Sequence, residues 1–210
     1  MDIKPQLLEK LDKISRVYIF AQEAYLYTEY FHKPDTKEEL ELVTNSAHAS
    51  EISVIMHLMF RTLIVEVSKL FSRSTNDRYQ LNIFIESLTQ NGHFREINIS
   101  PEMIELWRSN IQVKEYIINN IIVLRDKIYA HTDNPMKKYA EVDITLNQIA
   151  SLLEIAKEII CYIYTNVFST TFLTDSPTFD RERFTLLKLL AKAESNRLGD
   201  IKAMYLGGRT

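Results

Sequence analysis

Glycine and proline together supply only nine of the 210 residues, about a third of their usual share. Sheets draw on those two residues for their many turns, so a chain this short of them is confined to long helices with few connections. The hydrophobic pattern agrees. Leu7, Leu8, Leu11, Ile14, Val17 and Tyr18 recur at helical spacing and predict a first helix over 6–31, ended by His32-Lys33-Pro34. Thr36 and Glu39 form a capping box that opens a long second helix, bent near 47–50 and reaching about Ser72. Its latter half, 52–71, is apolar on nearly every side, which places it at the centre of a bundle.

Further along, Ser74 to Asp77 reads as a polar loop, and a short third helix over 79–89 stops before Asn91-Gly92. Ser100-Pro101-Glu102 supplies an N-cap, a first-turn proline and an acidic first turn for a fourth helix reaching about Ala130. Thr145 and Gln148 repeat the capping box and start a fifth helix through 168. Asp180 is the expected cap of a sixth, ending before Gly199, and 206–210 reads as a disordered tail. The expectation is one domain over 1–210: an all-α antiparallel helical bundle with additional N- and C-terminal helices.

Net charge is −3, which argues against a broad, sequence-independent nucleic-acid binder; no DNA partner is expected. Local basic excesses occur at 125–138 and 180–210, where a cleft for RNA remains open. The single cysteine, Cys161, excludes an internal disulfide and suits a reducing cytoplasm; its apolar neighbours make it a small core residue. The N-terminal residues lack the pattern of a signal peptide, and the longest uncharged apolar run is too short to span a bilayer, so a soluble cytoplasmic protein is expected. Gly-rich phosphate loops, zinc spacings and calcium loops are absent, so no metal or cofactor is expected.

The most compact chemical kit is Leu124-Arg125-Asp126-Lys127-Ile128-Tyr129-Ala130-His131, followed by a break at Thr132-Asp133-Asn134-Pro135. Histidine can move protons, and arginine can neutralise charge growing on a phosphate in the transition state. An Arg followed by His after four to six residues arises by chance about 0.8 times in a chain of this composition, so the spacing alone carries little. Context adds more. Ile117, Ile121, Leu124 and Ile128 form an apolar stripe that His131 continues. On an ideal helix Arg125 lies roughly 120° around and about 9 Å along from His131, so both could face one phosphate. The plain alternative is a solvated helix face ending in a histidine that caps the last carbonyls.

These residues resemble the Arg-x(4–6)-His signature of the HEPN superfamily, whose members are all-helical domains. The polar residue after the arginine, here Asp126, is a frequent part of that signature. Leu-Arg-Asp-Lys-x-Tyr-Ala-His followed by an acidic turn is similar to HEPN proteins of the abortive-infection type, and Ser68 to Arg73 resembles that branch more loosely. The resemblance implies a metal-independent endoribonuclease acting as a homodimer, in which two copies of the motif line one cleft. His131 would be the general acid or base at the RNA 2′-hydroxyl or leaving oxygen. Arg125 would stabilise the pentacovalent phosphate, Asp126 would orient one of them, and Lys127, Tyr129 and Asp133 would support the site. The products would be a 2′,3′-cyclic phosphate and a 5′-hydroxyl. A phage-defence or toxin–antitoxin role follows, with an antitoxin or regulatory protein as a further partner. A subgroup of HEPN toxins has a tyrosine two residues after the histidine, where a nucleotidyltransferase antitoxin modifies it; Asp133 stands there here, so that route of neutralisation does not carry over. The resemblance also allows a non-catalytic HEPN-type domain that binds nucleotide or RNA or scaffolds a partner.

Lesser candidates complete the list. His57 and Arg61, four residues apart in an apolar segment, read as a structural hydrogen-bonding pair or as a second shell to the Arg125–His131 site. Tyr25, Tyr27, Tyr30 and Phe31 could stack on bases, although core packing is the commoner use of such residues. His32, His48 and His93 are placed at loops or polar faces.

Overall fold

The computed structural model describes residues 3–72, 79–129, 144–174, 179–180 and 185–207. Among the described residues there are eight α-helices and no strand: α1 (Lys4–His32), α2 (Lys37–Asn45), α3 (Ala49–Phe71), α4 (Leu81–Ser87), α5 (Pro101–Val113), α6 (Glu115–Val123), α7 (Leu146–Phe168) and α8 (Leu186–Gly207). A 3-10 turn at Arg95–Ile97 precedes α5, and a π-helical turn, Leu124–Tyr129, extends α6. The chain is all-α. None of its described helices is long and apolar enough to cross a membrane.

Three of the described helix starts follow from local chemistry. Thr36 Oγ1 accepts from Glu39 N–H while the Glu39 carboxylate accepts from Thr36 N–H, closing the box that opens α2. Thr145 and Gln148 make the same exchange at α7, and Ser100 accepts from Met103 N–H at α5 with Pro101 in the first turn. Each cap satisfies backbone donors that the first helical turn leaves without partners.

Long antiparallel contacts build the core. In α1, Leu7, Leu11, Ile14, Tyr18, Ala21 and Ala24 form a buried stripe with spacings of three and four. They meet Leu63, Ile64, Val67, Leu70 and Phe71 of α3, and Ile149 to Ile163 of α7 complete the centre. The end of α1 reaches the first half of α3, where the His32 and Phe60 rings lie 6.5 Å apart. Tyr164 of α7 donates to Asp12 at 2.5 Å, so α7 also runs against α1. A second, smaller cluster joins Tyr30, Phe31, Leu42, Ile52, Phe179, Leu187 and Ala191, and it fixes α2 and α8 at one end of α1.

Four sequence expectations need correction. The long second helix is two, α2 and α3, because Ser46 is extended between them. The apolar start of α3 is not central: Val54, Ile55 and Leu58 are 59%, 40% and 49% exposed, and full burial along the helix begins at Leu63. Hydrophobic composition measures what a segment can bury, whereas its neighbours decide what it does bury. The fourth helix breaks at Lys114 (φ −95°, ψ 8°) with no glycine or proline there to announce it. Finally, α8 begins at Leu186, leaving Asp180 in non-helical backbone ahead of it, and passes through Gly199 to Gly207. One interior glycine costs only about 1 kcal/mol, too little to end a helix that packs against α2. Residues 206 and 207 are therefore helical, while 208–210 of the expected tail lie outside the described residues.

Candidate functional site

Buried isoleucines position the Arg125 segment. Ile117, Ile118 and Ile121 of α6 and Leu124 are all buried in the main core, and their spacing pins the inward face of the helix. Immediately afterwards the backbone widens into the π-helical turn, which packs against α3 as well as α6. Such turns are rare and concentrate at functional sites, because each hydrogen bond spans an extra residue and re-aims the side chains after it. The ideal-helix relation between Arg125 and His131 therefore does not apply across 124–129, where each residue advances by less than the 100° of an α-helix.

Within the turn, Arg125 Nε donates to Asp126 Oδ1 at 2.7 Å. The arginine side chain is 25% exposed and the aspartate 54%. Solvent reaches both partners, which limits the link to about 0–1 kcal/mol of stability. The guanidinium is thus bonded through Nε to Asp126, with the side chain partly exposed, and the Asp126 link is not its only interaction. The backbone of Lys127 and Tyr129 continues the turn. His131 and Asp133 lie outside the described residues.

His57 and Arg61 sit on α3, and both are exposed. Neither is buried, and each nevertheless takes part in an interaction within the structure. The aromatic group at the end of α1 is core: Tyr30 and Phe31 are 3% and 4% exposed, Tyr30 Oη accepts from Leu187 N–H, and Tyr27 meets Phe179 edge-on at 5.0 Å. Tyr25 donates to Glu29. His32 Nδ1 lies 2.8 Å from the Thr28 carbonyl and His93 Nε2 3.0 Å from Gln6, so both rings are used in local structure. His48 is exposed just before α3. Cys161 is partly buried, and burial pushes its thiol pKa up, away from nucleophilic use. No three His, Cys, Asp or Glu side chains among the described residues group in a way that could hold a metal.

A cavity of about 750 Å³ opens between α2 and α8, with Lys37, Glu41, Glu194 and Arg197 among its lining residues. It shares no residue with the π-helical turn, and its acids and bases are mixed, so it does not compete as a phosphate site. The π-helical turn itself has no signal in the sequence. Only its flanking stripe and the motif residues were legible.

Compared with known protein families, residues 4–196 match the AbiU2 family of HEPN domains, from the start of α1 into α8. The chain belongs to this HEPN family. No curated protein and no solved structure is significantly similar to it. The AbiU2 match spans both hydrophobic clusters and the π-helical turn.

Proposed function

We propose that this HEPN protein is a metal-independent endoribonuclease of a phage-defence or toxin–antitoxin system, leaving 2′,3′-cyclic phosphate and 5′-hydroxyl ends. One observation carries the reading: Arg125 is presented, partly open, on a π-helical turn at the end of a rigidly packed helix. In this mechanism the RNA 2′-oxygen attacks the adjacent phosphorus, its proton leaves, and the 5′-oxygen departs with a proton. His131 carries one of those protons, and Arg125 exchanges Asp126 for the phosphate oxygens as their charge grows. Asp126 keeps the guanidinium oriented while the site is empty, and Lys127 adds positive charge to the same short segment. Tyr129 and Asp133 flank the histidine in sequence. Membership of the AbiU2 family supports the defence role.

A second reading, a non-catalytic HEPN domain that binds nucleotide or RNA or scaffolds a partner, is favoured by the Arg125–Asp126 link, because that link already neutralises the guanidinium. Incubating purified protein with RNA in excess EDTA separates the two. The first reading expects cleavage with cyclic-phosphate ends, abolished in His131→Ala while the far-UV circular dichroism is unchanged. RNA binding without cleavage would select the second reading, and equal cleavage by His131→Ala would refute the first.

A further inference from the structure

The cavity of about 750 Å³ between α2 and α8 has walls of different charge. Glu38 and Glu41 line it from α2, with Lys37 at the helix start, whereas Arg197 and Lys202 line it from α8, with Glu194 between the helices. Glu194 is buried and already used: Arg197 donates to its two carboxylate oxygens through Nε and Nη2, at 2.7 Å each. That fork leaves Arg197 Nη1 without a hydrogen bond among the described residues. No ion pair among the described residues joins Glu38 or Glu41 to Arg197 or Lys202, although all four border one space. The walls are held apart because buried Leu42, Leu187 and Ala191 fix α2 against α8 in the smaller core. Leu42 and Ala191 also line the cavity, which gives it an apolar floor.

Gly199 supplies a second, independent observation. It too lines the cavity, and a Cβ added there would meet nothing within 4 Å. Its backbone is not in the left-handed region, and alanine is the better residue inside a helix. Neither close packing nor turn geometry therefore calls for glycine. What the missing side chain does is open the α8 wall and expose helix backbone to whatever enters.

We infer that this cavity binds a small zwitterion with an aliphatic side chain, of the class of a free amino acid or a dipeptide. Its ammonium lies toward Glu38 and Glu41, its carboxylate toward Lys202 and Arg197 Nη1, and its side chain over Leu42 and Ala191. A polyanion would meet the acids of α2 and a polyamine the bases of α8, so only a ligand carrying both signs suits both walls. The volume falls within the range of small-molecule sites. The site shares no residue with the π-helical turn and does not depend on RNA cleavage.

Calorimetric titration of the full chain with leucine and with alanyl-leucine tests the site. At least one is expected to bind with a Kd below about 1 mM, and the tighter of the two identifies the ligand size. The N-acetyl form of that ligand lacks the ammonium and its C-terminal amide lacks the carboxylate; each should bind at least about tenfold more weakly. Gly199→Leu refills the α8 wall with a good helix former and should weaken binding at least about tenfold with unchanged circular dichroism. Glu41→Lys and Lys202→Glu, which reverse one wall each, should do the same. Absence of binding by both zwitterions at about 10 mM, well above the expected Kd, would overturn the inference. So would blocked forms that bind as tightly, variants that bind like the wild type, or tighter binding of inorganic phosphate or spermidine.

Discussion

Replacing Gly92 by alanine and, separately, Gly199 by alanine should move stability in opposite directions. A Cβ on Gly92 would stand 2.4 Å from the Ser87 carbonyl oxygen and 2.5 Å from that of Glu86. Both are backbone atoms, so relief requires the chain itself to shift. The Ser87 oxygen is also the acceptor for Phe94 N–H at 2.7 Å, and that bond holds buried Phe94 against the main core. Overpacking of this kind costs about 1–3 kcal/mol, and a weakened buried hydrogen bond adds about 1 kcal/mol. The sum, about 2–4 kcal/mol, corresponds to a fall in Tm of roughly 4–10 °C for a chain of this size. Gly199 lies inside α8 with nothing within 4 Å of its added Cβ. Alanine there gains helix propensity and should raise stability by about 0.5–1 kcal/mol. Urea titration followed by circular dichroism measures both. A Gly92→Ala midpoint within about 0.5 kcal/mol of wild type, the usual range for an innocuous surface change, would refute the close-approach argument. A destabilised Gly199→Ala would refute the account of α8.

Other perturbations test the site and the core. Arg125→Lys keeps the charge but loses the planar fork; single-turnover RNA cleavage should fall about 100-fold or more, while Tm moves by no more than about 2 °C because the Asp126 link is half in solvent. Cleavage retained within about threefold would remove Arg125 from the chemistry. Burial first and the bond to Asp12 second push the Tyr164 pKa up to about 12, and burial raises that of Tyr18 as well. A phenol whose pKa is raised on folding contributes stability that is complete below its unfolded value near 10 and is lost as pH climbs through the folded value. Urea midpoints should therefore decline between about pH 10 and 12, less steeply in Tyr164→Phe; identical slopes would contradict this. Ser169 ends α7 in the left-handed region at φ 51°, where glycine is at ease. Ser169→Gly should be neutral or stabilise by up to about 1 kcal/mol in the same titration, and a loss beyond about 1 kcal/mol would contradict it.

Local chemistry was readable from the residues alone. Thr36 with Glu39, Ser100 with Pro101, and Thr145 with Gln148 start helices where their side chains satisfy nearby donors, an effect confined to one turn of chain. The stripes of α1 and α7 and the motif from Arg125 were legible for the same reason, since helical spacing and residue type are properties of the sequence itself. Packing supplied the rest. Which side of α3 is covered depends on α1, α6 and α7, and the helix break at Lys114 and the π-helical turn at 124–129 arise where no glycine or proline marks them. A short stretch of sequence encodes which residues favour a helix and how its ends are tied. Contacts between distant segments decide where that helix widens, how far α8 runs past Gly199, and which apolar residues stay in water, because those outcomes are set by the free energy of the whole assembly of helices.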